Sequence, residues 1–231
     1  MLVNQRSALP QLPNTDFAPW RLSGLVLAPL MNDPAALRAL GAAADAPPYK
    51  GAPKAPVLYI KPRNTLAEAD APMPLPPGVA ALQIGASLAL VIGRTACRVT
   101  AEHALQHVAG LALVADISLP HDSFYRPSVH FKALDGSCRV AQPVVYAGQD
   151  LAALSLQVQV DGVPRQAATT AGLVRPAAAL IADISAFMTL NPGDLLLLGV
   201  PHGAPLAGAG QRVVVAAPGV GTLSFSIGAA A

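Results

Sequence analysis

Charge is scarce in this chain. Of its 231 residues 12% are charged, the 15 Lys and Arg are dispersed rather than clustered, and the formal net charge is +2. Nucleic acids are held through stripes of Lys and Arg that displace counterions, so this composition excludes them as partners. Long apolar runs are missing as well. Although 53% of the residues are hydrophobic, no segment approaches the roughly 18 consecutive apolar residues of a membrane-spanning helix, and no membrane partner is expected. The opening stretch MLVNQRSALPQLPNTDFAPW places Asp16 and three prolines where a secretory leader has an unbroken apolar segment, so the expected location is the cytoplasm. Cysteine is nearly absent. Cys97 and Cys138, two thiols in a long chain without an export signal, read as free rather than paired. There is no GxxxxGK[ST] phosphate loop, no HExxH zinc motif and no repeat at a fixed period.

What the chain does have is strands. In QIGASLALVIGRTACRV, Leu88, Leu90 and Ile92 alternate with Ala89, Val91 and Gly93, which predicts a strand buried on both faces in the middle of a sheet. Gly85 and Ser87 then project onto one face. Either a neighbouring element closely approaches the backbone there, or a functional pair of side chains has been removed. VLYIKP, LALVADISL and NPGDLLLLGVPHG read as further strands, and GQRVVVAAPGVGTLSFSI as two closing ones. LSLQVQVDGVPRQA predicts a hairpin, because alternating Leu154, Leu156, Val158 and Val160 run into Asp161-Gly162, a type I′ turn pair. Short helices are expected after Asn32 or Asp33 with Pro34 in the first turn, over TAEHALQHVAG for about two turns ending at Gly110, and after Pro176, where Leu180, Ile181, Ile184, Phe187 and Met188 recur at helical spacing. Strands outnumber helices without a βαβ rhythm, which gives an α+β, strand-rich fold of mixed sheets.

Few side chains here suggest chemistry on their own. His103 and His107, four apart on a predicted helix, would share a face as metal ligands do, but without further ligands they read as a solvated face. Gly199-Val200-Pro201-His202-Gly203 lacks a phosphate-loop pattern. Asp116 closes a buried strand, where a carboxylate must meet a metal, a cation or backbone donors to offset its desolvation; the alternative is a cap on the next turn. Lys61 and Lys132 sit in apolar contexts and read singly as snorkelling lysines. Arg63, Tyr125 and Arg126 read as ordinary surface residues.

Four ordered blocks bring these residues together: YIKPRNTL, LALVIGRTACRVTAEHALQHVAGLALVADISLP, FYRPSVHFKALDGSC and TLNPGDLLLLGVPHG. In order and spacing they resemble the fumarylacetoacetate hydrolase family. Within it, KPRNT and ISLPHDSFYRP are similar to the N-terminal repeat or subunit of the two-repeat isomerase/decarboxylases of aromatic catabolism. The resemblance spans roughly residues 55 to 225, leaving 1–54 as an N-terminal extension and 55–231 as the family domain. It implies mixed β-sheets with a partly open barrel. It also implies Mg²⁺ or Mn²⁺ on an E-x-E pair, whose positions here are Gly85 and Ser87, together with Asp116. With one carboxylate of three, metal binding is expected to be weak or absent. The family's lysine matches Lys132, with Asp135 following; the usual Gly-Thr-Pro is Gly-Val-Pro at Val200, and the usual histidine has no counterpart in LAPLMNDPAAL. By resemblance, Lys132 and Tyr125 are the expected catalytic residues, and Lys61, Arg63, Asn64 and Arg126 would clamp the carboxylates of a linear 2-oxo or 2-hydroxy dienoic acid. The implied reaction is isomerisation or decarboxylation. The alternatives are a non-catalytic subunit paired with a metal-bearing paralog and a hydrolase of a 1,3-diketo acid; a homodimer or a hetero-oligomer fits each.

Overall fold

Short apolar stretches bounded by Gly, Pro and Asp become strands, and among the described residues the only helix longer than two turns has its apolar residues at helical spacing. A computed structural model describes residues 24–121 and 129–230. The strands are β1 (Val26–Leu30), β2 (Val57–Lys61), β3 (Leu66–Ala67), β4 (Met73–Leu75), β5 (Ala81–Ile92), β6 (Val108–Ser118), β7 (Cys138–Val140), β8 (Val144–Val145), β9 (Ser155–Val160), β10 (Val163–Thr169), β11 (Leu195–Leu197), β12 (Leu206–Gly208), β13 (Arg212–Ala217) and β14 (Gly221–Ala230). The helices are α1 (Pro34–Leu40), α2 (Ala101–Ala104), α3 (Val129–Lys132) and α4 (Ala177–Ser185).

Two sheets result, and the larger curls into a half-barrel. Its strand order is β2-β1-β11-β5-β6-β7-β3, with β12 added to β5 and β8 to β6; the smaller sheet runs β10-β9-β13-β14-β4. Strands β5 and β6 form the long antiparallel centre, pairing Gly85 with Asp116 and Leu88 with Leu113. The even-numbered β5 residues Leu88, Leu90 and Ile92 face the main core together with Val158, Val213 and Phe225 of the smaller sheet. Small residues cover the other face, where Ala89, Val91, Ala112 and Val114 pack with Val26, Tyr59 and Cys138. The expected strand buried on both sides is therefore β5. The expected hairpin is β9–β10, with Asp161 and Gly162 both at positive φ, as a type I′ turn requires. Asp33 caps α1 through Ala35 N, with Pro34 in the first turn. Both cysteines are free, Cys97 exposed and Cys138 buried. Among the described residues, no helix is long and apolar enough to cross a membrane.

Strand β1, which precedes residue 54, pairs with β2 on one edge and, in parallel, with β11 on the other. Asp194 fixes that junction by accepting from Leu25 N and Asn191 N, each at 2.7 Å. Two local expectations change. The helix predicted to end at Gly110 is one turn of α2 followed by a 3₁₀ turn over Leu105–His107; buried Val108 joins the sheet opposite Ile92, and sheet pairing overrides the helical spacing. Phe187 lies beyond the end of α4 and is 66% exposed, rather than part of its apolar stripe.

Candidate functional site

Alternation along β2 turns Tyr59 and Lys61 to the same face, because side chains two apart on a strand share a side. Opposite them on that face lies Asp116 of β6, fully buried. Three groups converge on its carboxylate. Lys61 Nζ lies 3.0 Å from Oδ1, Lys132 Nζ at the end of α3 lies 3.2 Å from Oδ2, and the Tyr59 hydroxyl donates to Oδ2. Lys61 also donates to the carbonyls of Ile117 at 3.1 Å and Lys132 at 2.5 Å, and to Ser137 Oγ at 2.9 Å. Its three N–H groups are thus fully spent inside the protein. Among the described residues the Lys132 ammonium donates one hydrogen bond, to Asp116 Oδ2, and it lies 5.1 Å over the Tyr59 ring.

These neighbours set the charge states. Burial alone would raise the Asp116 pKa, but Lys132, then Lys61 and the Tyr59 hydroxyl outweigh it and hold the carboxyl well below the usual carboxylate range. Burial pushes the Tyr59 phenol up, and the adjacent carboxylate adds to that. Burial lowers Lys132; Asp116 opposes the shift and Lys61 reinforces it. Behind the site, burial pushes the Cys138 thiol up to about 12, so this is an inert core cysteine.

A cavity of about 330 Å³ opens onto Lys132, within the size range of small-molecule sites. Lys132, Tyr59, Gln83, Ser118 and His121 supply polar groups; Leu30, Met31, Leu40, Val200 and Pro201 supply apolar wall, and His202 stands at the side. The loop after β11 is held in place from behind. Asn32 donates to Leu198 O at 2.7 Å and to Arg175 O at 3.0 Å, while Asp33 accepts from His202 N at 2.7 Å. His121 Nδ1 lies 2.9 Å from Leu119 O. A carbonyl only accepts, so Nδ1 carries the hydrogen.

The residues expected from sequence are distributed unevenly. Lys132 lines the cavity, whereas Lys61 is sealed behind Asp116 and does not reach it. Arg63 and Asn64 lie on the surface outside the cavity lining; Asn64 donates to Ala133 O at 3.0 Å and Asp135 Oδ1 at 2.6 Å, bracing the turn after α3. Tyr125 and Arg126 fall outside the described residues. Tyr59, His121 and His202 were not anticipated. Tyr59 could have been found from its two-residue spacing to Lys61, whereas His121 and His202 sit in loops without a periodic signal. His103 bonds to Thr100 Oγ1 at 2.9 Å on an exposed turn.

The small residues on β5 mark a close approach. A Cβ on Gly85 would lie 2.5 Å from Asp116 O and 3.0 Å from Val200 Cγ1, and Ser87 Oγ is spent on Gly199 O at 2.9 Å. Gly85→Ala is therefore expected to force β5 and β6 apart and lower stability by about 1–3 kcal/mol in urea denaturation; an unchanged midpoint would show that the approach can relax. The same facts bear on metal binding. Asp116 is already ion-paired on both oxygens, Gly85 and Ser87 offer no carboxylate, and the described residues hold no group of three His, Cys, Asp or Glu able to bind a metal. A divalent cation of the Mg²⁺ or Mn²⁺ type, which takes several oxygen ligands, does not fit this donor set.

Comparison with known proteins follows the same outline. The sequence profile of the fumarylacetoacetate (FAA) hydrolase C-terminal family matches residues 26–227. The 4-hydroxyphenylacetate degradation bifunctional isomerase/decarboxylase of Escherichia coli is 40% identical over 198 residues, covering 86% of this chain and 46% of that protein. The chain thus spans about half the length of the curated isomerase/decarboxylases it matches. The match falls in the C-terminal half of that relative, correcting the expected N-terminal repeat. The crystal structure of 2-hydroxyhepta-2,4-diene-1,7-dioate isomerase from Mycobacterium marinum has a TM-score of 0.71 at 27% identity, covering 90% of this chain and 75% of that one. Fumarylpyruvate hydrolase from Pseudomonas aeruginosa, solved in complex with Mn²⁺ and pyruvate, shares the fold at a TM-score of 0.72 and 23% identity, over 88% and 89% of the two chains.

Proposed function

The chain belongs to the fumarylacetoacetate hydrolase family, and from that premise we propose that it serves as an isomerase/decarboxylase subunit acting on linear 2-oxo or 2-hydroxy dienoic di- and tricarboxylates of 4-hydroxyphenylacetate catabolism. The observation that carries the reading is the cavity itself, largely apolar with Lys132 in its lining. A conjugated chain suits the apolar wall formed by Leu30, Met31, Leu40 and Val200, and its 2-oxygen end suits the cation.

Both reactions pass through the same charge. Moving a proton along the dienol, or losing CO₂ from it, builds negative charge on the 2-oxygen, and a fixed cation beside that oxygen lowers the barrier. Lys132 supplies the cation. Asp116 and Tyr59 hold Lys132 in place as positioning residues. His121 and His202 line the same cavity and are the candidate groups for taking up and returning the proton. Tyr125 as a proton relay and Arg126 as a carboxylate clamp complete the proposal; the segment carrying them directly follows His121. The chain assembles either with itself or with a metal-bearing paralog.

Turnover of 2-hydroxyhepta-2,4-diene-1,7-dioate by the purified chain, followed by ultraviolet absorbance, tests the reading. Turnover by the chain alone supports it. Turnover that begins only when a metal-bearing paralog is added would assign the chemistry to the partner and leave this chain a supporting subunit.

A further inference from the structure

We propose that the Asp116 site takes the anionic end of a small 2-oxo carboxylate directly on Lys132, with no divalent cation between protein and ligand. The inference rests on the proposed function and names how that site recognises its substrate. It begins with a charge count. Two ammonium groups, Lys61 and Lys132, face one carboxylate, Asp116, and all three are buried. One positive charge is left over in a region where an uncompensated charge is costly.

The hydrogen bonds locate that surplus. Lys61 spends its three N–H groups on Ile117, Lys132 and Ser137 inside the protein and is ion-paired with Asp116. Lys132 gives only one hydrogen bond among the described residues, and its side chain forms part of the cavity surface. An ammonium with unspent donors in the lining of a cavity is a receptor for an oxyanion. A divalent cation there would lie beside two ammonium groups on the one carboxylate they already neutralise. The ligand class follows from the lining. A carboxylate with an adjacent carbonyl or enolate oxygen offers Lys132 two acceptors, and the Leu30, Met31 and Val200 wall accepts the rest of the chain.

Isothermal titration of the metal-stripped full chain with oxalate, a planar mimic of a 2-oxo carboxylate in its enolate form, tests this in EDTA and again in excess Mg²⁺. The expected result is the same affinity in both. Lys132→Met is expected to weaken oxalate binding by about 10- to 100-fold, the worth of a hydrogen bond to a charged group, while circular dichroism confirms that it folds. The wild-type comparison stands even if that variant does not fold. Binding that requires Mg²⁺, the absence of binding in both conditions, or undiminished binding by folded Lys132→Met would overturn the inference. Mg²⁺-dependent oxalate binding alongside turnover of the dienoic diacid would overturn this inference alone. Metal-free oxalate binding without turnover would support it and count against the proposed reaction.

Discussion

Asp116→Asn is expected to lower the unfolding free energy by about 3–5 kcal/mol, the cost of removing one partner from a buried ion pair. The substitution is nearly isosteric, so the loss is electrostatic rather than steric. It leaves the Lys61 and Lys132 ammonium groups buried beside a neutral amide, with Lys61 held from water by its partners on β6, on α3 and in the turn before β7. The pH dependence should change with it. Asp116 has a folded pKa depressed below its unfolded value. Its contribution is therefore fully present above the unfolded value of about 4 and is lost as pH falls from there toward the lower folded value. Urea denaturation across an acid series checks both points: the wild-type protein should lose stability in that window, and Asp116→Asn should start lower and fall less steeply. A loss below about 1 kcal/mol, within the range of exposed pairs, would mean that water reaches the triad.

How much of this arrangement was legible in the sequence depends on whether a residue's environment is local. The β9–β10 hairpin and the start of α1 are decided by neighbours within a few positions; the hairpin is legible from sequence, and of the two cap candidates Asn32 and Asp33 the structure uses Asp33. The double burial of β5 was also readable, since a strand covered on both faces loses its polar alternation. β1 was not read, because LVLAPL is too short to separate from a loop, and what makes it a strand is pairing with β11, more than 160 residues away. The site follows the same division. Asp116 raised the right question, what offsets a buried carboxylate, but its partners come from β2 and α3, and nothing local distinguishes a sealed lysine from a snorkelling one. Lys61 and Lys132 looked alike in sequence. Only the tertiary fold makes one a buried strut and the other a cavity-facing cation.

That division yields the last expected result, a separation of function between the two lysines. Lys132→Ala should reduce kcat/KM for the dienoic diacid by about 10²- to 10³-fold, the effect of deleting one group that stabilises charge in a transition state. Its folding should be less affected, because Asp116 keeps Lys61 and Tyr59 as partners. Lys132→Arg keeps the charge but sets a planar fork in place of a compact ammonium, so it should recover part of the lost activity and all of the pairing to Asp116. Lys61→Met should do the reverse. It removes the buried donor to Ile117, Lys132 and Ser137 and is expected to cost stability first, with kcat falling only as far as the position of Lys132 shifts. Steady-state ultraviolet assays of the three variants beside their urea midpoints separate the roles. If Lys132→Ala retained wild-type kcat/KM, or if Lys61→Met lost turnover at unchanged stability, the cation serving the reaction would not be Lys132.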